Sequence, residues 1–210
     1  MERVVFGCLE RSGVNELIED LCNTEVSQAR PRVRFWQPFM EKYRFESICE
    51  IGVRDGLNFK QLIKHSPKLA VAVDCWIDDG FIGRNDLCYT QEVLDKQYET
   101  FKAEMADKPF VKIHRGYSFD VVKGFPDEFF DFIYIDADHT YEGVKCDLND
   151  WYPKTKTGGV FCGHDYTNKT HGSIRGPFKF GVARAVDEFV KERGITTFFT
   201  APNLVWGVLK

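Results

Sequence analysis

The chain of 210 residues has no surplus of basic charge, no C-x-x-C pair, no long apolar run and no internal repeat, and each absence narrows what it can be. Its 28 Lys and Arg stand against 32 Asp and Glu, a net charge of −4, so there is no basic surplus of the kind that holds phosphate backbones, and no nucleic-acid partner is expected. The one local basic cluster, Arg30, Arg32 and Arg34, alternates along an extended segment and reads either as a solvated linker or as an anion site for a charged acceptor. The seven cysteines form an odd set whose spacing matches neither a zinc site nor a stapled secreted scaffold. No stretch approaches the ~20 apolar residues of a membrane span, and residues 1–7 are too short and interrupted for a signal peptide. No membrane partner is therefore expected, and the expected location is cytoplasmic. The G-x-G-x-x-G register of a dinucleotide cradle is missing as well.

What is present is 43% hydrophobic and 29% charged, ordinary for a globular chain, with 19 Phe that point to a Phe-rich core. Periodicity divides the chain in two. Residues 1–45 read as a helical extension: Val14, Leu17, Ile18 and Leu21 fall at helical spacing after Ser12, and a second stripe of Phe35, Trp36, Phe39, Met40 and Tyr43 follows Pro31. From residue 46 onward, short apolar runs alternate with helical segments. Residues 47–52, 69–74, 110–114, 130–136 and 158–163 read as strands, and residues 57–63, 91–105, 140–151 and 182–190 as helices. The last two β-rich runs, 195–200 and 204–209, are separated only by Ala201-Pro202-Asn203, too short for a crossover helix, so they must pair antiparallel. The pattern predicts an α/β fold, a doubly wound Rossmann-like sheet of seven strands with the last one antiparallel, and ligands at the carboxyl ends of the strands. Gly52, Asp74, His114, Asp136 and Gly163 stand at those ends.

Between the first strand and the first helix, Glu50-Ile51-Gly52-Val53-Arg54-Asp55-Gly56 has E-x-G-x-x-x-G spacing. Glycines let such a loop turn tightly and let a ligand lie on bare backbone, although a plain β–α turn explains two glycines equally well. Without the dinucleotide register, a cofactor lacking a diphosphate fits better. Asp74 ends the second strand, where a carboxylate can accept hydrogen bonds from both ribose hydroxyls; capping of the following loop is the alternative. A ribose partner identifies a nucleoside without choosing between NAD and S-adenosylmethionine.

With these loops and the closing hairpin, the chain resembles class I S-adenosylmethionine-dependent methyltransferases, in which a seventh strand enters the sheet antiparallel. Residues Ile135-Asp136-Ala137-Asp138-His139-Thr140-Tyr141-Glu142-Gly143-Val144, then Asp147-Leu148, Trp151, Gly158-Gly159-Val160 and Gly163-His164-Asp165-Tyr166, are similar to the small-molecule O-methyltransferases of methyltransferase family 24. The resemblance covers residues 46–210 as a cofactor-binding domain and leaves the first 45 outside it. It implies that Glu50 and Gly52 border the cofactor, that Gly56 opens the helix, and that Asp74 holds the ribose. It also implies that the adenine lies near Cys75 and Trp76 and near Gly116-Tyr117-Ser118, with Ser118 at the ring edge, and that Asp136 lies below the methionine portion. Trp76 is equally suited to the core.

In the family's strand order the fourth and fifth strands are neighbours, so Asp136, Asp138 and His139 would converge with His164 and Asp165. Catechol and macrocin-type O-methyltransferases place a metal at these strand ends; carried over, the ligands are Asp136 and Asp165, with His164 as a third. Oxygen ligands suit Mg²⁺, and two carboxylates so close should hinder the ionisation of one of them. The histidine departs from that ligand set, so a softer divalent cation, or none, stays open. Without metal, His139 or His164 serves as the base, since imidazole titrates near neutral pH; the structural alternative is that Asp138, His139 and Tyr141 cap the helix at Thr140. The expected reaction is O-methylation of a small-molecule acceptor such as a sugar or secondary metabolite, and a homodimer is compatible with it. The competing functions are an NAD-dependent oxidoreductase and a non-catalytic nucleoside-binding Rossmann protein. Segments 78–86 and 168–179, rich in glycine and polar residues, follow strand ends where substrate lids sit.

Overall fold

The computed structural model describes residues 36–81, 87–173, 175–201 and 203–210. The apolar stripe at Val14, Leu17, Ile18 and Leu21 and the Arg30, Arg32, Arg34 cluster lie outside the described residues. In chain order the elements are α1 (Gln37–Tyr43), β1 (Ser47–Ile51), α2 (Leu57–Leu62), β2 (Leu69–Asp74), α3 (Gln91–Glu104), β3 (Val111–Arg115), α4 (Ser118–Val121) and β4 (Phe130–Ile135). They continue with α5 (Tyr141–Trp151), β5 (Thr155–Gly163), β6 (Thr170–Ser173), β7 (Gly176–Lys179), α6 (Val182–Glu192), β8 (Phe198–Ala201) and β9 (Val205–Leu209).

The main sheet has seven strands in the order β3-β2-β1-β4-β5-β9-β8. The first five are parallel, and β9 runs antiparallel between β5 and β8. Alternate side chains of each strand face opposite layers. Ile48, Ala70, Ala72, Phe132 and Tyr134 pack with α1, α2 and α3 on one face, while Cys49, Ile51, Val71, Val73, Ile133 and Ile135 pack with α5 and α6 on the other. Covering both faces is why these strands are apolar nearly throughout. The phenylalanines do fill this core, Phe59, Phe101, Phe130, Phe132 and Phe161 being fully buried.

Register places the site. Ile51 pairs with Val73 on one side and Ile135 on the other, and Ile135 pairs with Gly163. The residues that follow, Gly52, Asp74, Asp136 and His164, therefore emerge along one edge of the sheet.

Three features differ from the expected pattern or add to it. The stripe at Trp36, Phe39 and Met40 forms α1 and is buried in the same core as the sheet, with Trp36 edge-on to Phe132 at 5.1 Å. The fifth strand begins at Thr155, earlier than the Gly158-Gly159 turn signal, with a register shift opposite Phe130 and Phe132. Segment 168–179, read as a glycine-rich polar stretch where a substrate lid sits, contains the β6–β7 hairpin, which pairs His171 with Phe178 and whose Phe178 joins the core beneath α5 and α6. Four-residue strands that carry Gly172, Gly176 and Pro177 have too little β propensity to stand out in sequence. No helix of the described residues is long and apolar enough to cross a membrane.

Candidate active site

A cavity of about 680 Å³ opens at the carboxyl edge of the sheet, bordered by the ends of β1, β2 and β4, the loop after β3, the first turns of α5 and the base of the β6–β7 hairpin. That size lies within the roughly 300–1,000 Å³ usual for small-molecule sites.

The floor depends on two glycines. Gly52 has φ +90°, and a Cβ there would lie 2.1 Å from the carbonyl oxygen of Asp136, so β1 and β4 meet this closely only because the position has no side chain. Gly56 has φ +73°, and a Cβ there would lie 2.4 Å from the ring of Phe101. Glu50, 1% exposed, borders the cavity from β1 and accepts a hydrogen bond from Asn58 Nδ2 at 3.0 Å.

Asp74 joins two loops. Its Oδ2 accepts the backbone N–H of Arg54 at 2.8 Å, and its Oδ1 accepts that of Trp76 at 2.8 Å. Both donors sit in left-handed conformations, Arg54 at φ 52° and Trp76 at φ 44°, which these bonds hold in place. Burial raises the pKa of Asp74, and the bonds from Trp76 and Arg54 oppose the rise. The loop-capping role is thus present, and the residue also borders the cavity. Trp76 is packed in the core and also borders the cavity: it is 1% exposed, lies 5.0 Å from the Tyr98 ring, and gives its Nε1–H to the Arg54 carbonyl at 2.8 Å. Cys75 is half-buried at the cavity wall.

After β3, Ser118 Oγ donates to Asp147 Oδ1 at 2.6 Å. Asp147, on α5, is 2% exposed and was not among the residues singled out for the site. Its signal was legible: it lies on the stripe of Val144, Leu148 and Trp151, where an apolar side chain is expected. Burial pushes its pKa up to about 7, Asp138 and Asp150 add to the rise, and the Ser118 bond opposes it. An acid raised in this way binds more protons folded than unfolded. The stability it contributes is complete below the ordinary carboxylate range and is lost as pH rises through about 7. Asp147→Asn should therefore gain on the wild type as pH rises, by roughly 2 kcal/mol between about pH 5 and pH 8. Thermal melts of both forms across that range check this; a gap that does not widen would mean that Asp147 is not buried as an acid.

The acid and histidine residues meet at the ends of β4 and β5, but not as expected. His139 Nε2 lies 3.3 Å from Asp136 Oδ1 and 3.3 Å from Asp165 Oδ2. Among the described residues, Asp136, His139 and Asp165 bring ligand atoms within 4.8 Å of one another, whereas His164, expected as the third ligand, is outside this group. His164 still follows the sheet register, its N–H donating to Ile135 O at 3.1 Å, and its ring is buried. Its Nδ1 is 3.0 Å from Asp165 Oδ1, an ion-pair distance but off the direction of a hydrogen bond. His139 is held from the other side by Phe180, stacked at 5.0 Å, and by the N–H of Gly181, which donates to its carbonyl at 2.9 Å. The helix is capped by Thr140, whose Oγ1 accepts the N–H of Gly143 at 3.1 Å, and Asp138 supports that cap, its Oδ1 accepting from Thr140 N at 2.8 Å and Thr140 Oγ1 at 2.7 Å.

Asp165 sits at φ 54°. Burial and Asp136 push its pKa up, but the imidazoles of His164 and His139 outweigh them and leave it below the usual range. Hindered ionisation of one carboxylate was the expectation for the bare pair; for Asp165 the adjoining imidazoles, His164 first and His139 after it, change the sign. Arg175 forms a two-pronged ion pair with Asp78, at 2.8 and 2.9 Å, that ties the β6–β7 hairpin to the loop after β2.

A family model described as a methyltransferase domain matches residues 49–166. The chain belongs to this methyltransferase family. Among solved structures, the methyltransferase is similar to the O-methyltransferase NovP, with a TM-score of 0.60 and 17% identity over 85% of this chain and 77% of that one. It is also similar to the SAH-bound Podospora anserina methyltransferase PaMTH1, with a TM-score of 0.58 and 15% identity over 98% of this chain and 99% of that one. An O-methyltransferase from Bacillus cereus in complex with SAH gives a TM-score of 0.57 and 14% identity over 96% of this chain and 92% of that one. At these identities the likeness speaks for the fold. No curated protein matches the methyltransferase in sequence. The class I methyltransferase architecture expected from the sequence, antiparallel last strand included, is borne out by the family match and the strand order.

Proposed function

We propose that this methyltransferase transfers the methyl group of S-adenosylmethionine to a hydroxyl oxygen of a small-molecule acceptor. The observation that carries the reading is the His139 imidazole set between Asp136 and Asp165 at the edge of a cavity that also holds Glu50 and Asp74. The Asp74 carboxylate at the cavity wall suits the ribose hydroxyls, and the buried carboxylate of Glu50 suits the cationic end of the cofactor. In the transfer, the acceptor oxygen attacks the methyl carbon in line with the departing sulfur, the carbon–sulfur bond breaks, and the sulfonium becomes a neutral thioether. The hydroxyl proton passes to His139, whose imidazolium form the two flanking carboxylates stabilise.

Asp136, His139 and Asp165 are also the residues that would hold a divalent cation. Two carboxylates and an imidazole suit Mn²⁺ or another borderline ion better than Mg²⁺, which prefers oxygen alone. Such an ion, when bound, would polarise the acceptor hydroxyl and ease loss of its proton. His139 would then be a ligand and would no longer be available as the base.

Calorimetry with S-adenosylhomocysteine and NAD tests the cofactor. S-adenosylhomocysteine should bind and NAD should not. Asp74→Ala should weaken the former about ten- to hundred-fold, the loss of about 1.5–3 kcal/mol expected for hydrogen bonds to a charged group. Tight NAD binding with no response to the sulfur nucleoside would overturn the proposal in favour of an oxidoreductase.

A further inference from the structure

The β6–β7 hairpin brings His171, and Phe180 directly after it, to the wall of the cavity. Phe180 stacks on the His139 ring at 5.0 Å and meets the His171 ring edge-on at 6.2 Å. The backbone closes the same contact: Phe180 N–H donates to the Lys169 carbonyl at 3.0 Å, and Gly181 N–H to the His139 carbonyl at 2.9 Å. Where the hairpin rests therefore decides how one face of His139 is covered. Two strands of four residues do not fix their own position, since an isolated hairpin is marginal in water. Phe178 pins the hairpin to the core. At its turn, the guanidinium fork of Arg175 spans both oxygens of Asp78, 97 residues away in the chain.

Asp78 is itself a fixed post. Its N–H donates to Gln91 Oε1 at 2.9 Å, and Gln91 Nε2 donates to the Trp76 carbonyl at 3.0 Å. One side chain of α3 thus fastens the loop after β2 on both sides of Ile77. Arg115 Nη2 reaches the same Trp76 carbonyl at 3.0 Å. A fork on an anchored carboxylate sets direction as well as distance, which a point charge does not. We propose that Arg175 is a positioning residue of the active site: through its pair with Asp78 it holds the β6–β7 hairpin so that Phe180 stays stacked on His139. The role rests on the reading of His139 given above, as base or as metal ligand, and adds to it what keeps that ring oriented. Arg175 does not itself border the cavity, so its effect reaches His139 through Phe180 and Gly181.

The test is NMR of the full chain at about pH 9, where an ordinary imidazole is neutral. Stacked on Phe180, the His139 ring protons should resonate upfield of those of an unstacked histidine. Arg175→Gln should move them back toward the unstacked position and speed exchange of the Gly181 amide by about three- to ten-fold. Asp78→Asn should do the same, and the double variant should lose no more than either single one, because all three remove one interaction. Arg175→Lys keeps the charge without the fork and should restore part of both signals. A merely structural role would lower the melting temperature and leave the His139 resonances where they are. Unchanged His139 resonances in Arg175→Gln, or additive losses in the double variant, overturn the positioning role and leave the methyltransferase reading in place. All of these variants should keep the wild-type affinity for S-adenosylhomocysteine. Failure of the wild type to bind it overturns the methyltransferase reading, and the positioning role with it, even where the NMR contacts hold.

Discussion

His139→Ala should lower methyl transfer by about 10²- to 10⁴-fold, the usual contribution of a positioned proton acceptor, while affinity for S-adenosylhomocysteine stays nearly unchanged. The split follows from placement. His139 faces Asp136 and Asp165 at the ends of β4 and β5, whereas Asp74, proposed to hold the ribose, lies at the end of β2. The activity loss is expected whether His139 takes the proton or holds a divalent ion, and the metal response separates the two. If an ion is held, Mn²⁺ should raise the melting temperature of the wild type, Asp165→Asn should blunt that rise, and EDTA should reduce activity. If His139 acts alone as the base, cations and EDTA should change neither stability nor rate. A His139→Ala protein as active as the wild type would remove this residue from the chemistry altogether.

Gly52→Ala should destabilise the protein by ~3 kcal/mol or more, through overpacking against backbone added to left-handed strain. The new Cβ would lie 2.1 Å from the oxygen and 2.4 Å from the carbon of the Asp136 carbonyl, and 2.7 Å from the Cα of Ala137. Neither neighbour can rotate away, because the N–H of Asp136 is itself bonded to the Ile51 carbonyl at 2.7 Å. Gly158→Ala separates clash from strain: that glycine has φ +81° but nothing within 4 Å of the added carbon, so only strain of about 1–2 kcal/mol should appear. Denaturant melts of the two variants measure the difference. Equal losses would mean that the β1–β4 junction can relax around a methyl group.

The parts of the fold legible in the sequence are those decided by local chemistry. Buried parallel strands declare themselves as apolar runs, and three residues between the last two runs leave no room for anything but a hairpin. Gly52 and Asp74 stand at strand ends, where a short-range pattern is enough to find them. Tertiary paths decided the remainder. Whether His139 or His164 joins the two aspartates depends on where the backbone leaves the sheet. His164 stays in register with Ile135, whereas His139 has passed into the turn that Thr140 and Asp138 fold over α5. The β6–β7 hairpin is held by Phe178 reaching a distant core, which no propensity within its eight residues reveals. Asp147 broke the apolar periodicity of its helix, a local inconsistency of the kind that marks function.

The packing of α1 bears on how modular this enzyme is. The matched family segment starts at residue 49, yet Trp36, Phe39 and Met40 are buried as deeply as the strands they cover. Trp36 meets the rings of Phe132 and Tyr134, both on β4, the strand that leads to Asp136. The unit that shares chemistry with other methyltransferases is thus smaller than the unit that buries a core. A graft taken at the family boundary would carry the site residues into a new host and leave behind the aromatic cover on which β4 rests.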